Sequence, residues 1–152
     1  MNISKTVLIT GCSSGIGYVT AHMLRKRGHH VIASARKGID VQRLSAEGFK
    51  ALQLDLADSG SIKQAISQMM ELTEGKIDAL FNNAAFGQPG AVEDLSREVL
   101  RLQFETNFFG THELTNLVIP IMRRQGHGRI IYNSSVLGFV ALPYRGSYNA
   151  SK

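Results

Sequence analysis

Apolar residues along this chain come in two rhythms that alternate from one end to the other. Short runs of apolar and β-branched residues suit strands buried on both faces, and segments with apolar residues three and four apart suit helices with one buried side. Lys5 to Thr10 (KTVLIT) is the first run and stops at Gly11. Tyr18 to Arg27, with Val19, Met23 and Leu24 in helical spacing, predicts a helix ended by Gly28, and His30 to Ala35 (HVIASA) a second strand. Val41 to Glu47 predicts a short helix stopped by Gly48, and Phe49 to Leu54 (FKALQL) a third strand ending at Asp55. Asp58 or Ser59 caps the next helix, whose apolar face is Ile62, Ala65, Ile66, Met69 and Leu72 and which Gly75 closes. Its methionines read as core filler. Ile77 to Phe81 (IDALF) is the fourth strand. Ser96 caps a further helical stretch, and Phe104, Phe108, Leu114, Leu117, Val118 and Ile121 keep helical spacing from Phe104 to Arg124. After Gly126 and Gly128, Arg129 to Tyr132 (RIIY) begins a fifth strand that reaches Asn133-Ser134-Ser135. A loop from Val136 to Gly146, containing Pro143, leads to a last helical turn with Tyr148 and Lys152.

Strands alternating with helices predict an α/β fold: a doubly wound parallel sheet with helices on both faces and right-handed crossovers. The implied strand order is 3-2-1-4-5, with a ligand crevice between strands 1 and 4. No repeat, low-complexity tract or linker interrupts the pattern, so residues 1–152 form one domain, long enough to bury a core. Hydrophobic content of 43% and charged content of 19% exclude disordered and fibrous classes. No apolar run reaches bilayer length, and Met1 to Thr10 has only Val7 to Ile9 where a signal peptide has a long apolar core, so a cytoplasmic protein is expected. The one cysteine, Cys12, excludes an intramolecular disulfide.

The formal charge of +5 comes from 17 Lys and Arg against 12 Asp and Glu. Arg25-Lys26-Arg27 and Arg123-Arg124 fall at predicted helix C-termini, where cations complement the helix dipole. With no recognised motif and no aromatic-rich basic face, nucleic acid is not the expected partner. Arg36-Lys37 lies elsewhere, at the end of the second strand.

Thr10-Gly11-Cys12-Ser13-Ser14-Gly15-Ile16-Gly17 sits between strand and helix. A helix N-terminus behind close-packed glycines offers free N–H groups to a pyrophosphate, and side chains at Gly11, Gly15 or Gly17 would obstruct the turn, the ligand or the packing. The alternative is a glycine and serine loop without a ligand. In such units an acid about 20 residues on takes a ribose 2′-hydroxyl and an arginine accommodates a 2′-phosphate. Arg36 stands nineteen residues after Gly17 and the first acid is Asp40, so NADP(H) is favoured over NAD, unless Arg36 is an exposed loop arginine. Asn82 to Gly90 suits backbone bracing beside a ligand or an ordinary turn; Asn107 reads as a solvated helix residue or a polar group turned toward the site. Tyr148 and Lys152, four apart on a helix, share a face. A cation beside a phenol favours the phenolate, which suits acid/base work, although an exposed amphipathic turn has the same pattern.

In this order and spacing the segments resemble the classical short-chain dehydrogenase/reductase family, over nearly the whole chain. Thr10 to Gly17, with Ser13, Ser14 and Ile16, matches the TGxxxGIG loop; Asp55, with Leu56 beside it, matches the acid at the adenine; Asn82 to Ala84 matches the NNA of the NNAG turn. Asn107 matches the active-site asparagine, and Ser135 lies thirteen residues before Tyr148, as in the Ser…Tyr-x-x-x-Lys arrangement. The chain looks most like NADP-preferring members that act on steroids, retinoids and other hydrophobic carbonyls.

The resemblance implies a single NAD(P)-binding Rossmann domain and an oxidoreductase interconverting aldehyde or ketone and alcohol, with no metal. Tyr148 would donate the proton, Ser135 hydrogen-bond the carbonyl oxygen, and Lys152 favour the phenolate and hold the nicotinamide ribose. Asn107 would position a water relaying protons to Lys152. Ala85 departs from the glycine of NNAG. Family members are also longer and continue past the lysine through the rest of a helix, strands 6 and 7 and a substrate lid. The chain therefore reads as an N-terminal fragment whose full-length form is a homo-oligomer, with fraying expected to loosen the Tyr148 and Lys152 pair. A second reading is a dinucleotide-binding fragment without catalysis.

Overall fold

The computed structural model describes residues 4–152, so the start of the Met1 to Thr10 opening lies outside the described residues. The strands are β1 (Thr6–Ile9), β2 (His30–Ala35), β3 (Lys50–Gln53), β4 (Ala79–Asn82) and β5 (Arg129–Tyr132). All pair in parallel, in the order β3-β2-β1-β4-β5. The helices are α1 (Gly15–Lys26), α2 (Gly38–Ala46), α3 (Ser59–Leu72), α4 (Arg97–Phe104), α5 (Gly110–Gln125) and α6 (Gly146–Ser151). The Rossmann-type α/β architecture expected from the alternating rhythms is the one observed.

Side chains alternate across each strand, so the sheet feeds two cores. Leu8, Ile32 and Leu80 meet Ile62, Ala65 and Met69 of α3 and Leu114, Val118 and Ile121 of α5. Val7, Ile9, Val31 and Ala33 point the other way, to Ala21 of α1, Leu44 of α2 and Phe49. Leu8 stands opposite Ile32 on one side and Leu80 on the other, all three no more than 2% exposed. Each such side chain contributes roughly 1.5–3 kcal/mol relative to an exposed position. Asp58 caps α3 by accepting from the Gly60 N–H, and Ser96 caps α4 by accepting from the Val99 N–H.

α2 begins at Gly38, three residues before Val41, and two other helical segments also differ from their sequence patterns. α1 begins at Gly15, three residues before Tyr18, because Ser14 takes the extended conformation of a cap residue (φ −166°) and the glycines enter the first turn. Its sheet-facing residues are the small Gly17 and Ala21, while Val19 and Met23 are about half exposed. Tyr18 and Leu24 pack partly buried at the flanks of that face. Between α4 and α5, Glu105–Phe109 widens into a π-helical turn. One extra residue in a turn rotates the downstream helix by about 100°. Phe104 and Phe108 thus fall off the stripe formed by Leu114, Val118 and Ile121, and Phe108 is 53% exposed.

At the amino end of the sheet, Asp78 accepts from the Thr6 N–H (2.7 Å) and bonds His127 (2.9 Å), with the Lys5 ammonium 3.6 Å away. Burial alone would raise its pKa; the two hydrogen bonds and the Lys5 and His127 charges outweigh burial and hold it below the usual carboxylate range. The opposite, carboxyl end carries the site.

Candidate active site

Strand order reverses at β1, so the connections after β1 and β4 leave on opposite faces and open a crevice at their carboxyl ends. Polar side chains lace the crevice together. The buried Thr10 hydroxyl oxygen accepts the N–H groups of Asn83 and Ala84, both at 2.9 Å. Asn83 returns its amide N–H groups to the carbonyls of Thr10 (3.0 Å) and Gly11 (3.2 Å), and accepts from Asn133 at 2.9 Å. The ends of β1, β4 and β5 are thereby joined through one asparagine side chain. Gly17 packs into this brace: a Cβ there would lie 2.3 Å from the Gly11 carbonyl oxygen and 2.6 Å from Asn83 Nδ2. Glycine is needed at that position for the scaffold itself.

The braced loop walls a cavity of about 290 Å³ lined by Gly11, Ser13, Ser14, Arg36, Asp55 and Leu56, with Asn83 to Phe86 opposite. Ser14 supplies no side-chain cap to α1, so the first N–H groups of that helix are open to a ligand. Arg36 is the one cation in this lining. Asp55 is oriented by two bonds, its N–H donating to Ser61 Oγ (2.9 Å) and its Oδ1 accepting from the Ala57 N–H (3.0 Å). Arg43 donates to the Ser13 carbonyl from outside the cavity at 2.5 Å. Free helix N–H groups, a guanidinium and an oriented carboxylate in one cavity fit a dinucleotide. Gly15, Ile16 and Gly17 form the helix start behind it, and Ile16 is 60% exposed. Asn82 points elsewhere, donating to Thr115 Oγ1 at 3.1 Å across a second cavity.

That second cavity, about 270 Å³, is lined by Asn107, Thr111, Tyr132, Asn133 and Lys152. The amide of Asn107 is heavily used: Oδ1 accepts the Phe86 N–H (3.1 Å), and Nδ2 donates to the Phe86 carbonyl (2.9 Å) and to Ser151 Oγ (2.9 Å). Gln103, fully buried, holds the same loop through the Gln88 N–H and the Phe86 carbonyl. Lys152 Nζ donates to the Asn133 carbonyl at 2.7 Å and stands 5.8 Å from the Tyr148 ring centroid. Its own carbonyl accepts from Ser134 Oγ at 2.9 Å, so the residue is tied at both ends. Burial pushes the Lys152 ammonium below the usual lysine range.

Tyr148 opens into a third cavity with Phe86, Leu137 and Leu142. Ala85 and Phe86 line both this cavity and the one containing Arg36. Ala85 is outside the left-handed region, so its side chain costs the backbone nothing. Ser135 lies on the loop after β5, half-buried, its Oγ accepting from the Leu137 N–H at 3.1 Å. It lines none of the three cavities, although Leu137, which it orients, lines that of Tyr148. Asn149 clamps the same loop through the carbonyls of Leu137 (2.6 Å) and Val140 (2.7 Å). Cys12 is fully buried; desolvation pushes its thiol up to about 12, against the lowering effect of its hydrogen bond with the Ser34 backbone. It is no nucleophile.

Sequence reasoning missed Gln103, Thr106 in the Arg36 cavity, Asn149 and Ser151, and named Asn83 only as one of the asparagines of a bracing turn. Gln103 and Asn149 had a signal, a polar residue where helical periodicity asks for burial. Ser151 donates to the Tyr148 carbonyl, a main-chain group that no sequence pattern exposes.

A sequence profile of the family described as short chain dehydrogenase matches residues 5–152. An uncharacterized oxidoreductase of Escherichia coli, YbbO, is 44% identical over 150 residues, covering 99% of this chain and 56% of the relative. The 3-ketodihydrosphingosine reductase of Bacteroides thetaiotaomicron is 40% identical over 148 residues, covering 97% and 53%. Among solved structures, a short chain dehydrogenase/reductase from Burkholderia phymatum in complex with NAD superposes with a TM-score of 0.87 at 27% identity, covering 97% of this chain and 55% of that one. The chain spans about half the length of the curated relatives it matches. Among the described residues no helix is long and apolar enough to cross a membrane.

Proposed function

The chain belongs to the short-chain dehydrogenase family, and from that premise we propose that it is the cofactor and proton-transfer portion of an NADP(H)-dependent oxidoreductase that interconverts a hydrophobic aldehyde or ketone and its alcohol. The observation that carries this is the sharing of Ala85 and Phe86 by two cavities, one with the glycine loop and Arg36, the other with Tyr148. A cofactor and a carbonyl would meet across that wall.

Gly11, Ser13, Ser14 and Ala84 would hold the dinucleotide with Asp55 and Leu56 at the adenine, Arg36 at a 2′-phosphate and Lys152 at the nicotinamide ribose. The group supplies hydride chemistry when bound. The chain supplies the rest. Tyr148 Oη donates a proton to the carbonyl oxygen, or takes it from the alcohol in the reverse direction, and the Ser135 hydroxyl hydrogen-bonds that oxygen. One Lys152 ammonium proton is engaged by Asn133, leaving two donors to favour negative charge on the tyrosine and to bond a ribose hydroxyl. Asn107 would hold a relay water with its main-chain carbonyl or the second lone pair of Oδ1, since its amide protons are already spent. Phe86, Leu137 and Leu142 support an apolar substrate. The single buried cysteine supports a reducing, cytoplasmic setting, and the exposed Phe108 and Phe109 offer a second copy an apolar contact.

Tyr148→Phe tests the proposal. NADPH oxidation with an aliphatic aldehyde or ketone should fall by a factor of about 10² or more while NADPH affinity changes less than about threefold. Turnover at the wild-type rate would exclude Tyr148 as the proton donor. Unchanged NADPH binding with no wild-type turnover over a panel of carbonyls would favour the binding-only reading.

A further inference from the structure

The cavity holding Tyr148 is apolar along Ala85, Phe86, Leu137 and Leu142, and no carboxylate lines it. It contains one charge, the guanidinium of Arg145. Arg145 immediately precedes α6, three residues before Tyr148, and is only half-exposed. Gly87 brings the two together: a Cβ at Gly87 would lie 3.1 Å from Tyr148 Cδ2 and 3.5 Å from Arg145 Nη1. Both groups thus border the space that a side chain at Gly87 would fill. Among the described residues, ion pairs use Lys5, His22, Arg43 and His127, and none places a carboxylate within ion-pair distance of the Arg145 guanidinium. Arginine cannot shed its charge at working pH. A permanent cation set against apolar side chains without a carboxylate partner favours a ligand that brings the opposite charge.

We infer that Arg145 is a substrate-binding residue that selects amphipathic carbonyl compounds: an aldehyde or ketone on an apolar chain that also bears a carboxylate. This rests on the proposed oxidoreductase function and narrows its substrate class. One guanidinium matches one carboxylate, in a bidentate pair with two parallel N–H···O bonds. A phosphate monoester, nearly doubly charged, would need a second cation that the lining lacks. The apolar walls bind the chain, and the charge fixes how the molecule is oriented in the cavity.

The test compares a keto-acid with its methyl ester, equal in chain length, using wild type, Arg145→Ala, Arg145→Lys and Arg145→Glu. Wild type should prefer the acid by about tenfold or more in kcat/KM. Arg145→Ala should lose most of that preference, read as the ratio of kcat/KM on acid to kcat/KM on ester, so that any common effect on Tyr148 cancels. Arg145→Lys should keep part of the preference and Arg145→Glu should invert it. Equal wild-type rates on acid and ester, or equal losses on both in Arg145→Ala, would overturn the inference. A parallel arm titrates the unreactive saturated fatty acid and its methyl ester and needs no turnover. If wild type reduces neither keto compound yet binds the acid over the ester through Arg145, the oxidoreductase reading fails and the carboxylate site stands. If wild type reduces both and binds neither selectively, the reverse holds.

Discussion

Replacing Arg36 with aspartate isolates the cofactor preference in one side chain. Arg36 is exposed, lies at the end of β2 and is the only cation lining the cavity with Ser13, Ser14 and Asp55. A charge-assisted hydrogen bond contributes about 1.5–3 kcal/mol, and exposure places Arg36 toward the lower value. The introduced carboxylate adds repulsion: two unit charges about 5 Å apart in water-like surroundings cost about 0.8 kcal/mol, and a 2′-phosphate carries nearly two charges. Together the loss is about 3–4 kcal/mol, or a 10²- to 10³-fold rise in the NADPH Kd. NADH has a 2′-hydroxyl there, which a carboxylate can accept, so its Kd should change by less than about threefold. Nicotinamide fluorescence titration of both cofactors measures this directly. Repetition at 0.05 and 0.3 M salt should shrink the wild-type preference for NADPH, since the contact is exposed. Parallel losses for NADH and NADPH would mean that Arg36 acts on the shape of the loop, and the 2′-phosphate assignment would be withdrawn.

Other expectations separate scaffold from site. Arg43→Ala frees the Ser13 carbonyl without touching the cavity lining, so NADPH and NADH should weaken together, by about three- to tenfold; a loss confined to NADPH would place Arg43 on the phosphate itself. Gly17→Ala drives a methyl into the Gly11 carbonyl and the Asn83 amide, and should cost about 1–3 kcal/mol, read as a lower Tm in thermal unfolding. Asp78→Asn removes a carboxylate whose folded pKa is depressed. That contribution is complete above the unfolded value of about 3.9 and disappears as pH falls through the folded one. Denaturant titrations should therefore show Asp78→Asn less stable by about 1–3 kcal/mol at pH 7, with the gap closing below pH ~4; a gap unchanged at pH 3 would show that the carboxylate charge is not what closes the sheet's amino end.

The sheet order was legible because each strand is a compact apolar run and each crossover has its own helical stripe. The departures in α1 and after α4 came from single-residue effects below the resolution of such patterns. In α1 Leu24 of the predicted stripe packs against the core, but Val19 and Met23 do not, because Gly17 and Ala21 are the residues that touch the sheet and hydrophobicity does not report closeness. In the Phe104 to Arg124 stretch the period was right on both sides of Glu105–Phe109, but a π turn changes phase without changing composition. Arg36 could be singled out by its distance from the glycine loop and Tyr148 by its spacing to Lys152, whereas Asp55 is picked out only by the family resemblance. Asn83 reads only as part of a bracing turn, and its particular partners, the main-chain carbonyls of Thr10 and Gly11 and an asparagine beyond another strand, are not legible.

The geometry around Lys152 follows from the end of β5 as much as from the helix. A spacing of four residues puts tyrosine and lysine on one face, but it leaves a long, flexible ammonium free to point into solvent. Here the Asn133 carbonyl takes one ammonium proton and Ser134 holds the Lys152 carbonyl, so neighbouring residues of one loop fix both ends of the side chain's path. Asn133 also reaches Asn83, and Asn83 reaches the carbonyls of the glycine loop. A displacement of Asn133 would therefore be felt by the lysine and by the glycine loop at once. Lys152 and the cavity lined by Arg36 are thereby registered to each other through three strand ends.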